Sequence, residues 1–249
     1  MYFNSYQVLG GQNFYINARY SNTYSAIVNN TSYNTITGVN TTSYLNLGNE
    51  TPYTYSVYAS YGKKISPIDL QVGLNANTSG SVSYSYIDNE LDMGRSHTYS
   101  GSLYFYKYLQ KKYDFYFSGG PSYTFSTMSL QPLTNNNAAG FEGYGSFNLY
   151  LPLKFGIGSD VQYTYNAATE AFSAEHLTKL NSYIFKTFLK DDKLKISLSG
   201  NDLLNQNLNF TRGISGNTTT QTNTTGIRRF FMLSVTWDFT KFGTVKSAN

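Results

Sequence analysis

The sequence predicts an all-β protein, an antiparallel up-and-down transmembrane β-barrel with about 11–12 strands in this chain. Three observations predict it. Apolar side chains recur at every second position along most of the chain. Connections alternate between short ones and long ones rich in Asn, Thr and Gly. Charged residues are 13%, about half of the roughly 25% usual in soluble domains, while aromatics reach 17%, with 25 Tyr and 17 Phe. Tyrosine is apolar at one end and wet at the other, which suits a membrane interface and also an adhesive surface.

The two-residue rhythm justifies each strand in turn. In the first, near 12–28, Phe14, Ile16, Ala18 and Tyr20 alternate with Asn13, Tyr15, Asn17 and Arg19. Ile68, Leu70, Val72, Leu74 and Ala76 then alternate with Asp69, Gln71, Gly73, Asn75 and Asn77. Over 96–109, Tyr104, Tyr106 and Tyr108 face away from Leu103 and Phe105. Tyr113, Phe115, Phe117, Tyr123 and Phe125 oppose Asp114, Ser118, Ser122, Thr124 and Ser126, and Phe155, Ile157, Val161 and Tyr163 oppose Lys154, Gly156, Asp160 and Gln162. The stretch 176–189 is apolar on both faces around Tyr183, Ile184 and Phe185. Leu194, Ile196 and Leu198 oppose lysines and serines, and the last strand puts Phe231, Leu233, Val235, Trp237 and Phe239 on one face. Helical spacing appears nowhere over a comparable length.

The connections sort by length. GKKISP at 62–67, QKK at 110–112, LP at 151–152, KDD at 190–192 and NNT at 29–31 are short; 46–52, 86–96, 129–140, 166–175 and 201–226 are long. A soluble sandwich has no reason to segregate loop length by end, whereas outer-membrane barrels have tight periplasmic turns and longer extracellular loops. Counting about eleven strands back from a last strand that runs inward, the strand near 12–28 also runs inward. Bacterial barrels ordinarily have even strand numbers and both termini in the periplasm, so strands upstream of Met1 are expected. The opening MYFNSYQVLGG also lacks the basic start and apolar stretch of a secretory signal.

Other classes recede on the same reading. There is no apolar run of about 18 residues, which excludes a transmembrane helix and leaves a barrel open. The net charge of +4 offers no basic stripe, so no nucleic acid partner is expected. Cysteine is absent, which fits several compartments.

The segment GNDLLNQNLNFTRGISGN, followed by TTGIRRFFMLSVTWDFTKF, resembles the C-terminal end of the TonB-dependent-receptor-like outer-membrane β-barrel family of Bacteroidetes. Asp202, Leu203, Leu204, Asn205, Gln206 and Asn207 match that family's turn motif; Gly226, Arg229, Phe230, Met232 and Leu233 match its final strand loosely, with Ile227 and Arg228 inserted. The resemblance implies a barrel of roughly 22 strands, of which residues 1–249 would be the C-terminal portion, without its plug or signal peptide. It also implies uptake of a large solute, with the TonB system and a surface lipoprotein as partners of the whole protein.

Chemistry is sparse. His97 and His176 stand in no catalytic arrangement, and no enzyme activity or cofactor is expected. Asp88, Glu90 and Asp92 have calcium-like alternate spacing, but Gly94 falls one position late and Tyr99 stands where a bidentate Glu would be needed. The tract NTTTQTNTTG is low-complexity and reads as a mobile extracellular loop. The face of Phe231, Leu233, Val235, Trp237 and Phe239 is expected to meet outer-membrane lipid and to serve as the insertion signal for the barrel assembly machinery. The rival readings are a non-transporting barrel and a secreted β-rich adhesin.

Overall fold

The computed structural model describes residues 1–7, 10–132, 137–170, 172–206, 208–215 and 218–238. Its strands are β1 (Tyr2–Gln7), β2 (Gln12–Asn22), β3 (Ile27–Tyr33), β4 (Asn40–Asn46), β5 (Tyr53–Ile65), β6 (Leu70–Ile87), β7 (Glu90–Leu109) and β8 (Tyr113–Met128). They continue with β9 (Ala138–Leu151), β10 (Phe155–Asn166), β11 (Glu175–Phe188), β12 (Leu194–Asn201), β13 (Leu208–Ser215), β14 (Thr218–Thr225) and β15 (Phe230–Trp237). Eleven of them form one continuous antiparallel path, β1-β2-β5-β6-β7-β8-β9-β10-β11-β12-β15. Among the described residues nothing pairs β1 with β15, so the path is open at both edges.

Register carries the alternation across the sheet. Leu233 lies opposite Leu198, Leu198 opposite Ile184, Ile184 opposite Ile157 and Ile157 opposite Leu149, so one apolar row crosses five strands. A second row runs Phe14, Tyr61, Leu74, Leu103. The opposite face carries Asn75 opposite Ser102, and Ser118 opposite Tyr144, which in turn lies opposite Gln162.

The apolar face is not covered by a second layer. Buried hydrophobic residues are few, among them Val82, Met128 and Leu177, whereas Leu103 is 64% exposed and Leu233 70%. A stacked sandwich would bury those very rows against a partner sheet. That arrangement is absent among the described residues, and the sandwich reading fails on it.

Glycine explains the segment that is apolar on both faces. Tyr183 lies opposite Gly158 and Phe185 opposite Gly156, and each ring occupies the space a Cβ at the glycine would need. Both rings therefore lie flat on the polar face, and Ile184 alone belongs to the apolar row. Tyr104 covers Gly73 in the same way.

Several boundaries differ from those the sequence predicts. The strand expected over 12–28 ends at Asn22, and it pairs antiparallel with β5, so it runs away from the short-turn end, not toward it. The expected NNT turn at 29–31 lies inside β3, which forms a hairpin with β4. The eleventh strand of the path is instead β1, with Gln7 opposite Gln12. The expected long loop 86–96 is a two-residue turn: Asp88 and Asn89 have φ of 51° and 66°, the paired left-handed geometry that suits the twist of a tight hairpin. β6 and β7 thus reach 18 and 20 residues, well beyond the roughly 9–11 that cross a bilayer. Within the long connection 201–226, Thr218–Thr225 pairs with Leu208–Ser215, as the β preference of branched Thr favours.

Candidate functional site

The polar face of the sheet is built from short hydroxyl and amide side chains, and in its middle the wall thins. Strand β8 carries SGGPS at 118–122. Pro121 has no N–H to donate, and the ladder between β7 and β8 has no pairs at Gly101 and Ser102. Gly120 sits directly against the Gly101 carbonyl, where no Cβ fits. The result on the polar face is a cavity of about 530 Å³ lined by Asn75, Ser102, Ser118, Glu142, Tyr144 and Gln162, among others. Glu142 is its one charged lining residue among those described.

Hydrogen bonds hold the surrounding wall. Tyr58 donates to Asn75 Oδ1 at 3.0 Å, and Asn75 Nδ2 donates to Ser102 Oγ at 3.3 Å. Asn181 Nδ2 donates to Asp160 Oδ2 at 2.8 Å. Nearer the short turns Tyr183 donates to Asn148, which donates to Asp114 Oδ1 at 2.6 Å. The wall therefore presents hydroxyls, amides and a few carboxylates on a rigid ladder, an arrangement that can contact a polar solute along its length.

The D-L-L-N-Q-N motif forms a folded turn docked on β11. Asp202, buried and at φ 49°, accepts the Gln206 N–H at Oδ1 (2.8 Å), and its own N–H donates to Asn181 Oδ1 (2.8 Å). Leu203 N–H donates to the Leu180 carbonyl, and Asn205 N–H donates to that of Asp202, each at 2.8 Å. Gln206 Oε1 accepts from Thr178 N–H at 3.1 Å. Leu204 is exposed, and Asn207 lies outside the described residues. The motif is thus a structural clasp at the long-loop end.

Phe231, Leu233, Val235 and Trp237 share one exposed face of β15; Phe239 lies outside the described residues. Asp92, of calcium-like spacing, is buried and accepts from Ser129 Oγ (2.9 Å) and Leu130 N–H (3.0 Å), which ties the loop after β8 to β7. Among the described residues no cluster of three or more His, Asp or Glu is poised for a metal. His97 lies on the apolar face with Nδ1 3.0 Å from the Tyr55 hydroxyl. Sequence reasoning missed the thinned wall, although SGGPS in an otherwise alternating strand was its visible signal.

A family model described as an outer membrane protein beta-barrel family matches residues 75–237. The chain belongs to that family. Outer-membrane barrel proteins of this kind lie in the bacterial outer membrane, so the apolar rows face lipid and the polar face with its cavity faces the lumen. Curated proteins and solved structures compared with the chain give no match.

The barrel's loop end is interlocked as well. Ser32 Oγ donates to Asp88 Oδ1 (2.6 Å) and Asn30 Nδ2 to Asn89 Oδ1 (2.7 Å), which fixes the β3–β4 hairpin to the β6–β7 tip. Arg212 donates to the carbonyls of Ala167 (2.8 Å) and Ser173 (2.5 Å), anchoring β13 to the loop after β10. At the opposite end Lys64 pairs with Asp69 at 2.6 Å and Lys154 with Asp192 at 2.8 Å. The lysine hydrogen bonds hold both carboxyls below the ordinary carboxylate value.

Proposed function

We propose that this chain forms the wall of a solute pathway through the outer membrane, as part of a TonB-dependent-receptor-like transporter for a large solute. The observation that carries the reading is the polar lumen face: it is continuous over eleven paired strands, and small side chains leave it open around Glu142. Barrels of about eight strands fill their interiors with side chains, whereas wider ones leave room for a channel or plug. The resemblance of 202–207 to the family turn motif supports the transporter reading, with the TonB system and a surface lipoprotein as partners of the whole protein. On this reading the wall has no catalytic role and needs no cofactor, and Phe231, Leu233, Val235 and Trp237 serve as the insertion signal for the assembly machinery.

Liposome swelling tests it, with the whole protein reconstituted after deletion of the plug that the resemblance implies, and mono- to tetrasaccharides as osmolytes. Swelling is expected for at least the smaller sugars; no swelling with any of them overturns the pathway. In planar bilayers Glu142→Gln is expected to lower the preference for cations over anions, because a lumen carboxylate favours cations. Unchanged selectivity would remove Glu142 from the pathway. A non-transporting barrel would give neither swelling nor conductance.

A further inference from the structure

The lysines of this barrel are gathered at one end. Eleven lie in the described residues, and ten of those fall in or within three residues of a short turn, while all five arginines lie in the long-loop half. Lys63, Lys107 and Lys186 share a stricter placement: each is two residues before the last residue of its strand, β5, β7 and β11. All three also belong to the apolar rows, because Lys63 lies opposite Val72, Lys107 opposite Phe115, and Lys186 opposite both Phe155 and Ile196. Lysine on a lipid-facing row is costly unless its ammonium reaches the headgroups along its own apolar stem.

Ring contacts fix that depth. Lys186 Nζ stands 4.4 Å from the centre of the Phe155 ring and 5.3 Å from that of Phe188, and Lys107 Nζ stands 5.7 Å from that of Tyr113. Cation–π attraction of this kind orients a cation without neutralising it. The two acidic partners at this rim whose ion pairs are closed, Asp69 and Asp192, are engaged by Lys64 and Lys154 instead. Lys111, Lys112, Lys190 and Lys193 add positive charge in the turns just below.

We infer that Lys63, Lys107 and Lys186 form a lipid-facing collar that binds the phosphate headgroups of anionic phospholipids in the periplasmic leaflet. Charge complementarity and placement on lipid-facing rows both favour a lipid over a soluble acidic partner. The inference rests on outer-membrane localisation alone and is independent of transport.

Native mass spectrometry of the full chain tests it, with phosphatidylglycerol and phosphatidylcholine of identical acyl chains as probes. The unchanged protein is expected to retain phosphatidylglycerol preferentially. K63Q/K107Q/K186Q should lose that preference by roughly fivefold per lysine, and K63R/K107R/K186R should keep it. Should the triple glutamine variant not fold, K186Q alone reads the same fivefold loss. Equal retention of the two lipids by the unchanged protein overturns the collar. So does a preference that survives the triple variant and vanishes in K111Q/K112Q/K190Q/K193Q, which would place it on the water-facing turns. Displacement of phosphatidylglycerol by an acidic peptide would assign the lysines to a periplasmic protein and sink the lipid reading.

Discussion

Asp202 shows how one side chain earns its place in a motif. Its carboxylate is buried and satisfies the Gln206 N–H, while its backbone adopts the left-handed geometry that Asp and Asn tolerate better than most residues. Asp202→Ala would remove the acceptor, leave a part-buried N–H unpaired and strain φ. An unfolding cost of about 2 kcal/mol is expected, whereas Asp202→Asn, which keeps an acceptor and suits the backbone, should cost far less. Urea unfolding followed by the fluorescence of the single tryptophan, Trp237, distinguishes them; equal costs would show that the clasp does not depend on that oxygen. The motif's residues were legible in the sequence but their job was not, because Gln206 and Asn181 meet Asp202 only after the chain has turned back on β11. His97 stands in no sequence motif, and its Tyr55 partner lies two strands away, where spacing along the chain gives no sign of it.

At the scale of strands and turns, two-residue alternation fixed the faces of most strands that cross lipid, β11 with its rings over glycine excepted, since each slip of register would carry an apolar row into the lumen. It faded where lipid stops. β3 reads NNTS at its centre and β4 opens with NTTS, polar on both faces there, so nothing in their pattern separated a loop hairpin from a crossing strand. β1 is six residues long with aromatic residues on both faces, Tyr2 and Tyr6 on one and Phe3 on the other, too short to register as a period. The thinned part of β8 makes a definite prediction. A methyl at Gly120 would meet backbone, the Gly101 carbonyl, and no rotamer change can relieve it. Gly120→Ala should therefore cost about 1–3 kcal/mol, whereas Gly94→Ala, whose new methyl would meet the rotatable Ser83 hydroxyl at 3.1 Å and backbone no nearer than 4.0 Å, should stay within about 0.5 kcal/mol. Equal costs in the same unfolding experiment would show that β7 and β8 can part freely there. The turns predict a pH response. Hydrogen bonding from Lys64 lowers Asp69, and hydrogen bonds from Lys154 and Thr187 lower Asp192, from the ordinary 3.8. A depressed carboxyl pKa contributes stability that is present above the ordinary value and lost as pH falls through the depressed one. Amide-exchange protection in 66–69 and 190–193, relative to the intrinsic exchange rate at each pH, should thus be unchanged between pH 7 and 5 and fall only below the ordinary carboxyl range; a fall near neutrality would contradict the pairing. Because both pairs are exposed, the change should be local and small.

Across the whole molecule, the eleven-strand count and the single-layer character were legible, but the identity of the strands was not: a hairpin stood in for β1, and the two errors cancelled in the total. Strand parity has a further consequence. In an antiparallel path of eleven, β1 and β15 run the same way, so direct closure would require a parallel pair, and bacterial outer-membrane barrels have even strand numbers. Leaving both edges bare is worse, because each unpaired backbone group in hydrocarbon costs several kcal/mol. The edges are therefore expected to pair with strands outside this set of eleven when the protein sits in its membrane. Spin labels at Asn4 and Ser234, on the edge strands β1 and β15, test this in the membrane-embedded protein. Labels on adjacent strands would lie within roughly 5–8 Å of each other at their Cβ atoms, and labels separated by intervening strands would lie several strand spacings of about 4.8 Å apart. A separation beyond about 20 Å, or four such spacings, is expected. Contact-range coupling would instead show that β1 closes directly on β15, making the barrel an eleven-stranded exception to the even rule.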